Sequence, residues 1–226
     1  MNKEYWHQKW QSKEIGFNQL QPNKLMQRYF SSLKLTPGCR VFVPLCGQSI
    51  DMLWLAGQGY QVICVELSQI ACSTFFKENK IPVKITEIND FIIYSSDEMT
   101  IFCGDFFKFN RAILDKVDAV YDRAALIALP TDTRKSYSEH LIELTTPVAS
   151  IFIITTTYDQ SEMQGPPFSV GEDEVIALYG AHFEINQLYS KQFEVPTHLQ
   201  AKGLLQATEQ VYMLTKKDFI NHDRNS

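Results

Sequence analysis

Arg40-Val41-Phe42-Val43-Pro44-Leu45-Cys46-Gly47-Gln48-Ser49-Ile50-Asp51 and, shortly after it, Val62-Ile63-Cys64-Val65-Glu66-Leu67-Ser68 carry the reading of the fold. Each begins as a short, nearly continuous apolar run, which is how a strand reads when a parallel sheet is covered on both faces. Between them Ile50, Leu53 and Trp54 share one helical face, with Ser49 as N-cap and Asp51 in the first turn. Gly57 and Gly59 mark the stop of that helix, and Ser68 opens another that carries Ala71, Phe75 and Phe76. Strand, helix and strand in this order make a βαβ unit.

Working outward, the N-terminal side is helical and aromatic. Trp6, Trp10 and Phe17 come first, then Leu25, Tyr29 and Leu33 at i, i+4, i+8 before Thr36-Pro37-Gly38. On the C-terminal side residues 91–94 and 100–103 read as a hairpin around Ser95-Ser96-Asp97-Glu98. A brief strand over 119–121 runs into Asp122-Arg123. A helix with Tyr137, Leu141 and Leu144 on one face follows, closed by Pro147. Residues 148–157 form the longest strand, and Gly171 precedes an acidic first turn, Glu172-Asp173-Glu174. Strands over 183–189 and 210–214 finish the chain with no helix between them, which predicts an antiparallel pair at one sheet edge. The expectation is a Rossmann-like α/β sheet in a single domain over residues 1–226, with residues 1–37 as a helical segment ahead of it.

Of the 226 residues 45% are apolar and 21% charged, the balance of a globular protein and not of a disordered chain. The net charge of −5 argues against a nucleic-acid binder or a polybasic membrane anchor, since both need clustered Lys and Arg. No run approaches a transmembrane span, and the N-terminus lacks the apolar core of a signal peptide. The five cysteines form no C-x-x-C pair, and no histidine spacing suits metal ligation, so no metal is expected. A reduced, cytoplasmic, monomeric protein is the expectation.

Ligands of such sheets bind beyond the carboxyl ends of the strands. Glu66 ends the second strand, where an ionised carboxylate can accept both hydroxyl protons of a ribose; the alternative is a solvated strand-end acid. The loop from Pro44 to Ser49 has one glycine, not the G-x-G-x-x-G of a pyrophosphate binder. Such a loop suits a ligand without a pyrophosphate, such as S-adenosylmethionine, or is a plain strand-to-helix turn. Asp122-Arg123 is either an ion pair or a guanidinium available to an anionic nucleophile. Gly165-Pro166-Pro167-Phe168 reads as a stiff loop that sets Phe168 over a substrate. No serine-hydrolase elbow is present.

Taken together, Trp6-x-x-x-Trp10, Gly16-Phe17, the run from Arg40 to Gly47, Asp51-Met52-x-Trp54-Leu55-Ala56 and Val65-Glu66-Leu67-Ser68 resemble the thiopurine S-methyltransferases of bacterial type. The likeness continues through Asp122-Arg123-Ala124-Ala125-Leu126 and Gly165-Pro166-Pro167-Phe168, nearly the whole chain in order. It implies a class I methyltransferase fold with a mostly parallel seven-stranded sheet, an antiparallel edge and an N-terminal helical lid. It also implies S-adenosylmethionine as methyl donor and S-adenosylhomocysteine as product. The acceptors it implies are aromatic or heterocyclic thiols, extending to selenium or tellurium oxyanions. By the family pattern Trp10, Leu45, Glu66 and Arg123 contact the cofactor, and Gly104 and Asp105 border its adenine. Phe17 lines the substrate cleft, with Arg123 near its polar end.

Two positions depart from that pattern: Asn18 stands where the family usually has His, and Gln48 where it has Lys. Methyl transfer to an ionised aryl thiol needs alignment and exclusion of water more than a base, so no catalytic base is named. Two other readings stand beside this one: a nicotinamide oxidoreductase, disfavoured by the missing glycine motif, and a cofactor-binding protein with another acceptor or a sensing role.

Overall fold

The computed structural model describes residues 3–16, 18–145 and 149–217. Phe17, Pro147 and Val148, each given a part in the sequence reading, lie outside the described residues.

The helical N-terminal segment contains α1 (Lys3–Gln11) and α2 (Lys24–Tyr29), the latter capped by Asn23, whose side chain accepts from the amides of Leu25 and Met26. The βαβ unit then follows as expected: β1 (Arg40–Pro44), α3 (Asp51–Gly57), β2 (Gln61–Glu66) and α4 (Gln69–Glu78). Ser68 does cap α4, accepting from Ala71 N at 3.3 Å. Ser49 stands one residue ahead of the cap position, which Ile50 holds, yet its hydroxyl still accepts from Asp51 N at 3.3 Å, the first amide of α3, and also from Arg123. The buried face of α3 is also rotated from the expected one, with Asp51, Met52 and Leu55 inside and Leu53 and Trp54 half-buried. A carboxylate on an inward face is legible only once its partners are in place.

Among the described residues the sheet has nine strands, not the seven that the resemblance implies, in the order β3-β4-β5-β2-β1-β6-β7-β9-β8. The hairpin read over 91–103 is β4 (Phe91–Ser95) with β5 (Met99–Cys103), and β6 (Ala119–Arg123) and β7 (Ser150–Thr157) complete the parallel centre. Beyond β7, β9 (Ala207–Lys216) and β8 (Phe183–Phe193) pair antiparallel, the expected finish, though at 10 and 11 residues both exceed the 8 of β7, the strand expected to be longest. The addition is β3 (Lys84–Ile88), which pairs with β4 so that both edges are antiparallel. All five of its residues are exposed, so no buried face marked it as a strand. After the short α5 (Arg111–Leu114), helix α6 (Thr131–Leu144) buries Tyr137, Leu141 and Leu144, as its spacing predicts.

The alternating inward positions of the parallel strands feed two cores, one on each face. Phe42, Ile63, Val65, Val120 and Ile151 pack under α6 and α7 (Glu172–Tyr179). Val41, Val43, Cys64, Tyr121 and Phe152 pack against the other face with Met26 and Phe30. The Phe30 ring meets those of Phe152 and Tyr121 at centroid distances of 5.4 and 5.9 Å. The N-terminal segment is thereby anchored to the sheet by aromatic burial, each large ring contributing about 1.5–3 kcal/mol. Strand order reverses between β1 and β6, and a crevice opens there beyond the carboxyl ends of the strands.

Candidate active site

That crevice is a cavity of about 590 Å³. Its lining brings together Trp10, Leu45, Glu66 and Arg123 from the sequence reading, with Pro166 and Pro167 of the stiff loop.

The loop after β1 turns sharply. Leu45 and Gly47 take left-handed backbone, φ 48° and 56°, while Cys46 N donates to Val65 O at 3.1 Å and so stays tied to β2. Gly47 is favoured on two counts. Its φ suits a residue without a side chain, and a Cβ there would lie 3.3 Å from the Trp10 ring. Trp10, 4% exposed, therefore sits directly on the loop.

Glu66 points into the same turn. Its Oε2 accepts from Gly47 N at 2.8 Å and its Oε1 from Ser68 N at 2.7 Å. Burial pushes the Glu66 carboxyl up, and the backbone amides pull it part of the way back. Each oxygen retains a lone pair, so the carboxylate can still accept from a vicinal diol.

Asp122 and Arg123, adjacent on β6, point to opposite faces and do not pair with each other. Asp122 accepts from Tyr137 Oη at 2.7 Å and Leu126 N at 3.1 Å, and burial pushes its carboxyl up to about 6. Arg123 turns to the cavity side and is gripped by Asp51 through Nε and by Ser49 Oγ through Nη2 at 2.8 Å. Asp51 is the hub the sequence did not reveal. Fully buried, it also accepts from Tyr121 Oη at 2.8 Å and Asn23 N at 2.7 Å. Burial and then the Asp51 charge push the Tyr121 hydroxyl well above its ordinary value, so it remains a donor. One carboxylate thus joins the N-terminal segment, α3 and β6 behind the loop. These contacts hold the Arg123 guanidinium in place on the cavity wall.

Gly104 and Asp105 stand at the end of β5 beside Glu66, where Gly104 N donates to Glu66 O at 2.8 Å, but neither lines the cavity. Asp105 Oδ2 instead meets Lys3 Nζ at 2.6 Å, bringing α1 over that strand end. Phe168 does not line the cavity either. Its ring lies against the Arg134 guanidinium at 5.6 Å, leaving Pro166 and Pro167 to form the wall. The two departing residues meet each other, with Asn18 Nδ2 donating to Gln48 Oε1 at 3.4 Å. The far end of the cavity is lined by Ile154 and Thr156 of β7, Phe193, His198, Lys202 and Glu209. The sequence offered no signal for Glu209, because its place depends on β9 lying beside β7. Among the described residues no cluster of His, Cys, Asp or Glu could hold a metal, and no helix is long and apolar enough to cross a membrane.

Solved structures share this architecture. A Burkholderia thailandensis 1,6-didemethyltoxoflavin-N1-methyltransferase aligns over 96% of this chain and 87% of its own at TM-score 0.64 and 15% identity. A TehB-like methyltransferase of Corynebacterium glutamicum aligns over 95% and 98% at TM-score 0.56 and 15% identity. The fold is that of the class I S-adenosylmethionine-dependent methyltransferases.

Sequence comparison carries the assignment further. The thiopurine S-methyltransferase family matches residues 1–217, and this chain belongs to it. A Nitrosospira multiformis thiopurine S-methyltransferase is 44% identical over 95% of this chain and 98% of its own. One from Pseudomonas fluorescens is 45% identical over 83% and 86%.

Proposed function

We propose that this protein transfers the methyl group of S-adenosylmethionine to the sulfur of a thiopurine or another aromatic or heterocyclic thiol. It acts as a cytoplasmic monomer of one catalytic domain, with residues 1–37 serving as a lid. The observation that carries this reading is Glu66 at the end of β2, bonded to Gly47 N in a turn roofed by Trp10 and open to a larger cleft.

The residues fit the methyl donor. Glu66 holds the ribose hydroxyls, Gly47 allows close backbone approach, and Leu45 and Trp10 supply apolar contact. Gly104 and Asp105 stand beside Glu66 just outside the cavity lining, on the side to which the adenine extends. The donor brings an electrophilic sulfonium methyl; the chain's contribution is to align the acceptor sulfur in line with it and exclude water. For two bound reactants that effect is worth about 7–11 kcal/mol of barrier. Pro166 and Pro167 form the wall that confines the ring of the acceptor. Arg123, held in place by Asp51 and Ser49, presents its positive charge to an anionic sulfur.

The test is transfer from labelled S-adenosylmethionine to thiopurines, aryl thiols, selenite and tellurite, run beside Glu66→Ala. The expected result is turnover of thiopurines and aryl thiols, with affinity for the donor lost in the variant. No turnover of any sulfur acceptor despite a clear donor-induced thermal shift would overturn the proposal.

A further inference from the structure

The register of the antiparallel edge sets Glu209 of β9 directly opposite Thr156 of β7. Residues paired across antiparallel strands share a face, and Thr156 lines the cavity, as does Glu209 itself. One pair further along the same face are Ile154 and Val211, both core residues, so the carboxylate stands where the sheet's apolar floor gives way to the cleft.

Its surroundings are unusual for an acid. Glu209 is half-buried, and its side chain has no hydrogen-bond partner among the described residues. Its cross-strand neighbour on β8, Lys191, is exposed and forms no ion pair with it among those residues. The other charged or titratable groups in this part of the cavity are Arg123, whose charge reaches Glu209 but is committed to Asp51, and His198 and Lys202. Lys9 and Glu14, on the N-terminal side, pair with each other. Withdrawing a carboxylate from water without a partner is unfavourable, and burial raises its affinity for a proton. An acid in that position is primed to meet a donor that arrives with a ligand.

Heterocyclic thiols bring such a donor. In their thione tautomer the proton sits on a ring nitrogen next to the C=S carbon, and S-methylation is complete only when that proton has gone. Simple aryl thiols have no ring N–H and react as thiolates.

Resting on the methyltransferase reading above, we propose that Glu209 binds the ring N–H of a heterocyclic thione and accepts its proton as sulfur is methylated, which fits the site to that acceptor class. The S–CH3 bond forms as the methyl–sulfonium bond breaks, and that electron pair leaves with the donor's sulfur. The N–H pair becomes the C=N bond, and the proton goes to the carboxylate and then to water. The sulfonium and carboxylate charges disappear together, leaving neutral thioether, neutral S-methyl product and a carboxylic acid.

The test compares wild type with Glu209→Gln, which keeps the shape but cannot take the proton, on 6-mercaptopurine and on thiophenol. The kcat/KM for 6-mercaptopurine is expected to fall about 100-fold, within the range of general-base losses, while that for thiophenol stays within about threefold. Calorimetry with S-adenosylhomocysteine bound gives a reading independent of turnover. There, 6-mercaptopurine should bind about tenfold more weakly to the variant, as a charge-assisted bond becomes a neutral one. Thiophenolate, relieved of a like charge, should bind equally well or more tightly. The variant's Tm should hold or rise at neutral pH, since an unpaired charge is removed. Equal losses on both acceptors, no loss on either, or a large fall in Tm would each overturn the assignment. If wild type methylates neither compound, the functional reading fails, while the opposite binding responses still decide the role of Glu209.

Discussion

Asp51→Ala tests the joint on which the site is hung. The substitution removes the acceptor for Arg123 Nε, Tyr121 Oη and Asn23 N together. Taking one member from a buried ion pair costs about 3–5 kcal/mol, because the remaining charge is stranded. Tyr121 and Asn23 are buried, and each orphaned donor adds about 1–3 kcal/mol where water cannot reach it. Against this, Arg123 keeps Ser49 at 2.8 Å and its side chain is 11% exposed to the cavity, so water offsets part of the loss. The expected destabilisation is about 5 kcal/mol, which in a chain of this size lowers Tm by about 10–20 °C. Urea unfolding followed by tryptophan fluorescence measures it. Arg123→Met completes a double-mutant cycle in which the pair of substitutions should cost at least about 2 kcal/mol less than their sum, since no charge is then stranded. A loss below about 1 kcal/mol for Asp51→Ala, or an additive cycle, would refute the view of Asp51 as the hub.

Gly47→Ala places a Cβ 3.3 Å from the Trp10 ring on backbone at φ 56°, and its affinity for S-adenosylmethionine should fall about tenfold by calorimetry. Gly57→Ala, where nothing lies within 4 Å, is the control expected to bind normally. Asp122 binds its proton more tightly folded, at about 6, than unfolded, at the usual 3.8, so its contribution to stability is greatest at low pH and declines as pH rises through that window. The span is worth about 3 kcal/mol; Tm measured against pH for Asp122→Asn should lack that decline, and parallel curves would count against the buried carboxyl. Tryptic cleavage within the first 20 residues should slow when S-adenosylmethionine or its demethylated product is added, whereas equal rates with and without ligand would argue against a lid.

What the sequence determined by itself was whatever depends on neighbours along the chain. The apolar runs at β1 and β2, the glycine-bounded helix between them and the serine cap of α4 are local, so the βαβ unit and the strand-end position of Glu66 were legible, as was the family through its ordered motifs. The acid of Asp51 looked like a first-turn charge, Arg123 like an ion-pair partner or a group awaiting an anion, and Glu209 fell just ahead of the strand read over 210–214. Only the tertiary structure decided their roles. It brought residues 23, 51, 121 and 123 to one buried carboxylate, turned Phe168 onto Arg134 and away from the cavity, and laid β9 beside β7 so that Glu209 meets Thr156. A strand's own pattern reports which of its positions can be buried, but the energy of a buried charge depends on the partner it meets there, and that partner lies far away in the chain.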